Sequence, residues 1–164
     1  MRILGIDPGL AIMGYGVVEY ERGNFKFVDY GVVTTHKSEA LPVRLKLIAE
    51  GLEQLIDKFK PDCVAIEELF FQNNAKTAIA VAEARGVILI TAINKCGNLY
   101  EYTPMQIKQA ITGYGRAEKM QIQKMVQMIL KLPTIPKPDD AADALAVAIC
   151  HGQTGRLSGS FSIK

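Results

Sequence analysis

The feature that most constrains this chain is a change of periodicity near residue 40. Before it, apolar and β-branched residues gather in three short runs separated by turn signals. After it, helical spacing takes over and alternates with isolated strands. RILGID (2–7) reads as a buried strand, and PGLAIMG (8–14) as a Pro- and Gly-rich turn. YGVVEYE (15–21) and KFVDYGVVTT (26–35) read as two further strands joined by an Arg22-Gly23-Asn24 turn. Three strands with short links form an antiparallel meander.

From Leu41 to Phe59 the apolar residues Leu41, Leu45, Ile48, Leu52, Leu55, Ile56 and Phe59 mark one face of a helix, which Pro61 stops. DCVAIEELF (62–70) reads as a fourth strand ending in two carboxylates. Residues 73–97 read as a long helix, apolar nearly all round, which must be buried on more than one side. LYEYT (99–103) is a fifth strand. Residues 104–113 and 117–132 are helices, LPTIPKP (132–138) is a connector, and DDAADALAVAICHG (139–152) is the last helix. The order is β-β-β-α-β-α-β-α-α-α. It calls for an α/β fold in which a five-stranded mixed sheet is flanked by helices on both faces. One nuclease-sized domain, residues 1–152, and a flexible tail, residues 153–164, account for the chain.

Several classes are excluded early. No apolar run reaches membrane-spanning length, and Asp7 interrupts the first apolar segment before it resembles a signal peptide. Cys63, Cys96 and Cys150 are odd in number and far apart, so neither a disulfide framework nor a zinc site is expected; a reduced, cytoplasmic location follows. There is no GxxxxGK[ST], GxGxxG or GxSxG, and His36 and His151 lack ligand spacing. Both histidines read as structural or surface residues. Net charge is only +2, but residues 95–137 carry seven Lys/Arg against two acids. Such a segment is a possible phosphate footprint; on charge alone, a solvated helix face is the better account.

The acids are more informative. Asp7 closes the first strand, where a carboxylate is costly unless something binds it. Glu67 follows the apolar CVAI of the fourth strand. Asp140 and Asp143 are three apart and share one face of the last helix. Singly, the acids have plainer accounts: a turn for Asp7, a solvated strand end for Glu67 and a helix cap for Asp139, with Asp140 undecided on its own. Asp143 lies too deep in its helix for capping. Together, two acids ending apolar strands and two on one helix face define a carboxylate cluster. Oxygen donors of this kind hold Mg²⁺ or Mn²⁺, and a pair of such ions clamps in-line phosphoryl chemistry.

GIDPGL…GYGVV (5–18), RLKLI (44–48), AIEELFFQNNA (65–75), ARGV (84–87), YTPMQIKQAITGYGRAEKMQIQKMV (102–126) and DDAADALAVAICH (139–151) resemble, in order and with little insertion, the RuvC family of Holliday junction resolvases. The resemblance implies a ribonuclease H-like fold, a homodimer, and Mg²⁺-dependent nicking of four-way DNA junctions, with two ions per subunit and Mn²⁺ able to substitute. It carries the family's catalytic, metal-binding carboxylates onto Asp7, Glu67, Asp140 and Asp143. It also places Lys108 and Lys119 near the scissile phosphate, Lys119 in a catalytic role as well. Arg116 and Lys124 are weaker matches for backbone contact. It gives Phe70 contact with bases at the junction centre, with Phe71 expected in the core. A branch-migration motor of RuvA and RuvB is the implied partner, and no membrane is. Independently, Ala78, Ala80, Ala82, Ala84 and Gly86 would let the apolar helix at 73–96 meet a second copy closely. The rivals are a nuclease of the same fold acting on RNA or an RNA–DNA hybrid, a nucleotide-binding protein of the actin and sugar-kinase type, for which 164 residues are too few, and a junction-binding protein without activity.

Overall fold

In the computed structural model, residues 1–69 and 75–155 are described, without the side chains of 75–77. Five strands form one mixed sheet in the order β3-β2-β1-β4-β5. β1 (Arg2–Asp7), β2 (Ile12–Glu21) and β3 (Asn24–Thr34) are the antiparallel meander. Arg22 and Gly23 both take positive φ, 49° and 89°, as the tight link between β2 and β3 requires. β4 (Cys63–Glu67) lies parallel to β1, and β5 (Leu99–Tyr102) parallel to β4.

The central strands are buried on both sides, which is why their sequences are continuously apolar rather than alternating. One side chain set, including Leu4, Ile6, Val64 and Ile66, packs under α1 (Leu41–Phe59) and α2 (Ala75–Lys95). The other, including Ile3, Cys63 and Ala65, packs under α3 (Pro104–Thr112), α4 (Lys119–Ile129) and α5 (Asp139–Thr154). The helices therefore do cover both faces.

Four expectations change. The turn after β1 is shorter than PGLAIMG, because Ile12, Met13 and Gly14 already pair with the sheet, Gly14 opposite Asp7. β4 ends at Glu67, although Glu68 still donates its backbone N–H to the Tyr102 carbonyl at 2.8 Å. The helix enclosed on all sides is α5, not α2. Every residue from Ala144 to Gly152 is buried. In α2, Ala84, Ile88 and Ala92 are buried, whereas Ile79 and Ile90 are 64% and 55% exposed. α5 also runs to Thr154, so Gln153 and Thr154 continue the helix rather than opening the tail. No helix among the described residues is long and apolar enough to cross a membrane.

Candidate active site

Strand parity builds the first half of the site. Side chains two apart share a face of the sheet. Ile3 and Gly5 face α5, so Asp7 does too; Cys63 and Ala65 face α5, so Glu67 does too. The parallel register pairs Ile6 with Ile66, so Asp7 and Glu67 are neighbours at the same end of adjacent strands.

α5 supplies the second half, and glycines decide how closely it sits. A Cβ on Gly14 would lie 2.1 Å from the Asp140 carbonyl oxygen, and one on Gly5 2.1 Å from that of Ala144. A Cβ on Gly16 would lie 2.7 Å from the Leu145 backbone nitrogen. These three glycines form a track on β1 and β2 in which the α5 backbone rests directly on the sheet. That contact sets Asp140 and Asp143 over the strand ends. It was invisible in the sequence reading, where Gly14 belonged to a turn. The only trace was three glycines in and beside strands, where glycine otherwise marks a bulge or a close backbone approach.

The electrostatics report the convergence. The Asp7 carboxyl is pushed up to about 8, first by burial and then by Glu67, Asp143 and Asp140. Glu67 is pushed up to about 7 by burial and by Asp143, against the pull of Lys108 and Lys119. Asp143 is raised by burial, partly offset by its bond from Lys119. Lys119 Nζ lies 3.1 Å from Asp143 and 3.4 Å from Asp139. Burial works against the Lys119 charge, but these bonds outweigh it and raise its pKa. Lys119 is the first residue of α4, and that helix start is fixed by the Gln121 side chain, which accepts from the Glu118 N–H at 2.8 Å.

Among the described residues, no three acidic, His or Cys side chains are already drawn around a single ion position. The donor set still fits a divalent metal: four mutually repelling carboxylates, oxygen donors only, with Lys119 bonded to just one of them. Asp139 stands apart. Its carboxyl is held near 2, first by a 2.8 Å bond from Lys137 and then by one from Gln123 at 3.0 Å. Pro138, not Asp139, is the N-cap residue of α5; Asp139 lies in the first turn, where its charge complements the helix dipole as expected.

A cleft of about 300 Å³ opens beside the acids, lined by Glu67, Asp143, Lys108 and Lys119. Lys108 and Lys119 are therefore brought to the carboxylates. Arg116, on the loop between α3 and α4, and Lys124, on α4, are exposed and do not line this cleft. Phe70 and Phe71 lie outside the described residues. His151 is structural as expected: it is 2% exposed, 2.7 Å from the Tyr102 hydroxyl through Nδ1, and burial lowers its pKa to about 4.

With this geometry in view, the likeness to known proteins is specific. The family model "Crossover junction endodeoxyribonuclease RuvC" matches residues 3–151, from β1 into the last turns of α5. The protein of that name from Alkaliphilus oremlandii is 56% identical over 164 residues, all of both chains. The solved Thermus thermophilus RuvC superposes with a TM-score of 0.90 at 35% identity, over 99% of this chain and 100% of that one. The same Thermus protein in complex with a Holliday junction substrate superposes with a TM-score of 0.93, over 99% of each chain. End-to-end identity above one half and a shared fold throughout make this chain a member of the RuvC family of crossover junction endodeoxyribonucleases, Holliday junction resolvases of the ribonuclease H-like fold.

Proposed function

We propose that the chain cuts four-way DNA junctions at the carboxylate cluster, with Asp7, Glu67, Asp140 and Asp143 as its divalent-metal ligands and Asp7 at their centre. The observation that carries this is the raised Asp7 carboxyl: a buried acid surrounded by three others on adjacent strand ends and one helix face. Two Mg²⁺ ions, replaceable by Mn²⁺, would there activate the attacking water and neutralise the phosphate. The protein's own part is to aim the four carboxylates from rigid strand and helix ends, and to present Lys119 and Lys108 to the phosphate's non-bridging oxygens from the adjoining cleft. In-line attack leaves 5′-phosphate and 3′-hydroxyl ends, which a ligase can seal. Phe70 stacks on an unpaired base at the open junction centre, and Arg116 and Lys124 add outer backbone contacts.

The active form is a homodimer joined through α2. Ile79, Ile90 and Ile93 on that helix are 64%, 55% and 44% exposed, an apolar row left open among the described residues. A two-fold dimer presents two clusters to a junction that is itself nearly two-fold, so paired symmetric cuts follow. The three cysteines are all free, in keeping with a reducing cytoplasm, and a RuvA–RuvB motor is the expected partner.

The test is a nicking assay with Mg²⁺ on a mobile four-way junction, a linear duplex and an RNA–DNA hybrid, wild type beside Asp7→Asn. Paired cuts confined to the junction and lost in Asp7→Asn are expected. Cutting of the hybrid with the junction left intact would overturn the substrate. Binding without cutting under any divalent metal would overturn the enzyme.

A further inference from the structure

A second groove, of about 560 Å³, reaches Asp140 and is not lined by Lys119. The loop after β1 and the Ala80–Val81 stretch of α2 form its walls, and Asp140 and Arg44 both face it. Arg44 sits in the first turn of α1 and is half-buried. Its Nε donates to the Thr35 hydroxyl at 2.9 Å, and that hydroxyl donates onward to the Leu10 carbonyl at 2.6 Å. Thr35 is tied to the same loop by its own N–H, 2.9 Å from the Ala11 carbonyl. The guanidinium is thus held in register with the segment that follows Asp7.

Only one of its five N–H donors is used in this way. Its terminal nitrogens make no hydrogen bond or ion pair among the described residues, and Asp140, though in the same groove, is not bonded to it. A half-buried cation whose planar fork has no partner among the described residues, in a groove walled by small residues such as Gly9, Ala11 and Ala80, suits a bidentate phosphate. The groove and the lysine-lined cleft both border the acids and share no lining residue: Asp140 lines one, Glu67 and Asp143 the other.

We propose that Arg44 binds a backbone phosphate of the cut strand, adjacent to the scissile one and in the groove that Lys108 and Lys119 do not line. The inference rests on the junction-cutting function proposed above. It makes Arg44 a positioning residue, fixing where along the strand the acids meet the DNA.

The test measures junction binding at several salt concentrations in an Asp7→Asn background, which does not cut. Arg44→Gln should weaken binding roughly tenfold and reduce the slope of log affinity against log salt by about 0.9. Arg44→Lys should restore the slope. Lys46→Gln, which removes the same charge from the other side of α1, should leave the slope unchanged. A single uncharged methylphosphonate is then walked through the linkages flanking the cut. One position should weaken binding in the Arg44 protein and have no effect in Arg44→Gln. An unchanged slope, or an Arg44→Gln defect that adds to the methylphosphonate effect at every position, would overturn the contact and leave Arg44 as a strut for the loop. An Asp7→Asn parent that does not prefer the junction to a linear duplex would overturn the function itself, and this inference with it.

Discussion

Gly14→Ala should separate the position of the acids from the stability of the fold. The added Cβ would meet the Asp140 carbonyl oxygen at 2.1 Å, where ordinary non-bonded contact begins at about 3.5 Å. That neighbour is backbone, so no rotamer can relieve the clash, and the start of α5 or the edge of β2 must move by roughly 1 Å. Overpacking of this size costs about 1–3 kcal/mol. For a chain of this length each kcal/mol lowers Tm by about 2–4 °C, so the melt should fall by a few degrees with the protein still folded. Asp140 and Asp143 ride on the displaced helix turn while Asp7 and Glu67 stay in the sheet. A displacement of that order in a catalytic group costs about 10²-fold in rate. The assay is single-turnover junction cleavage with Mg²⁺, run beside thermal melting and junction binding. A rate about 100-fold down, with binding within a few fold of wild type, is expected. Cleavage at the wild-type rate would refute the glycine track as the device that sets the acids, whether or not the melt shifts.

Further measurements probe other parts of the molecule. Asp7 has a folded pKa of about 8 against an ordinary 3.8, so its contribution to stability is present below pH ~4 and lost as pH rises towards 8. In EDTA, Asp7→Asn should therefore melt higher than wild type at pH 8, by an amount on the order of a few kcal/mol, and Mg²⁺ should raise the wild-type melt more than the variant's. Ile90→Glu places a charge on the exposed row of α2; sedimentation should show the wild-type dimer becoming a monomer with nearly unchanged Tm, and a wild-type monomer at micromolar concentration would remove the dimer. His151, whose pKa burial lowers to about 4 from 6.5, lends stability above pH 6.5 that is lost as pH falls towards 4. His151→Gln should flatten that acid limb in pH-dependent melts, at a cost of about 1–2 kcal/mol at neutral pH.

Much of this was written in local pattern. The apolar runs ending at Asp7 and Glu67 are strands because their residues are buried on both faces, and period two then fixes where each carboxylate points. The i, i+3 spacing of Asp140 and Asp143 needed only a helix. What stayed hidden depends on which element packs on which. Gly14 looked like part of a turn because Pro8, Gly9 and Gly14 cluster, whereas its role is to admit the α5 backbone. α2 looked like the most enclosed helix because it is apolar all round, yet the sheet and α1 cover only one side of it. Lys108 and Lys119 are indistinguishable by charge from solvated lysines; only the family resemblance singles them out, and the structure puts both in one cleft with Glu67 and Asp143. Arg44 opens the RLKLI stretch, but nothing in its spacing tells that its side chain turns towards the loop after β1.

The four acids come from the beginning, the middle and the far end of the chain, and α5, which carries two of them, packs against every strand of the sheet. Synthesis on the ribosome runs in that same order. A nascent chain holds Asp7 and Glu67 long before it holds Asp143, and it has nothing to set them against until the last helix docks. A truncated product, or one clipped ahead of α5, lacks Asp140 and Asp143 and with them half of the carboxylate set.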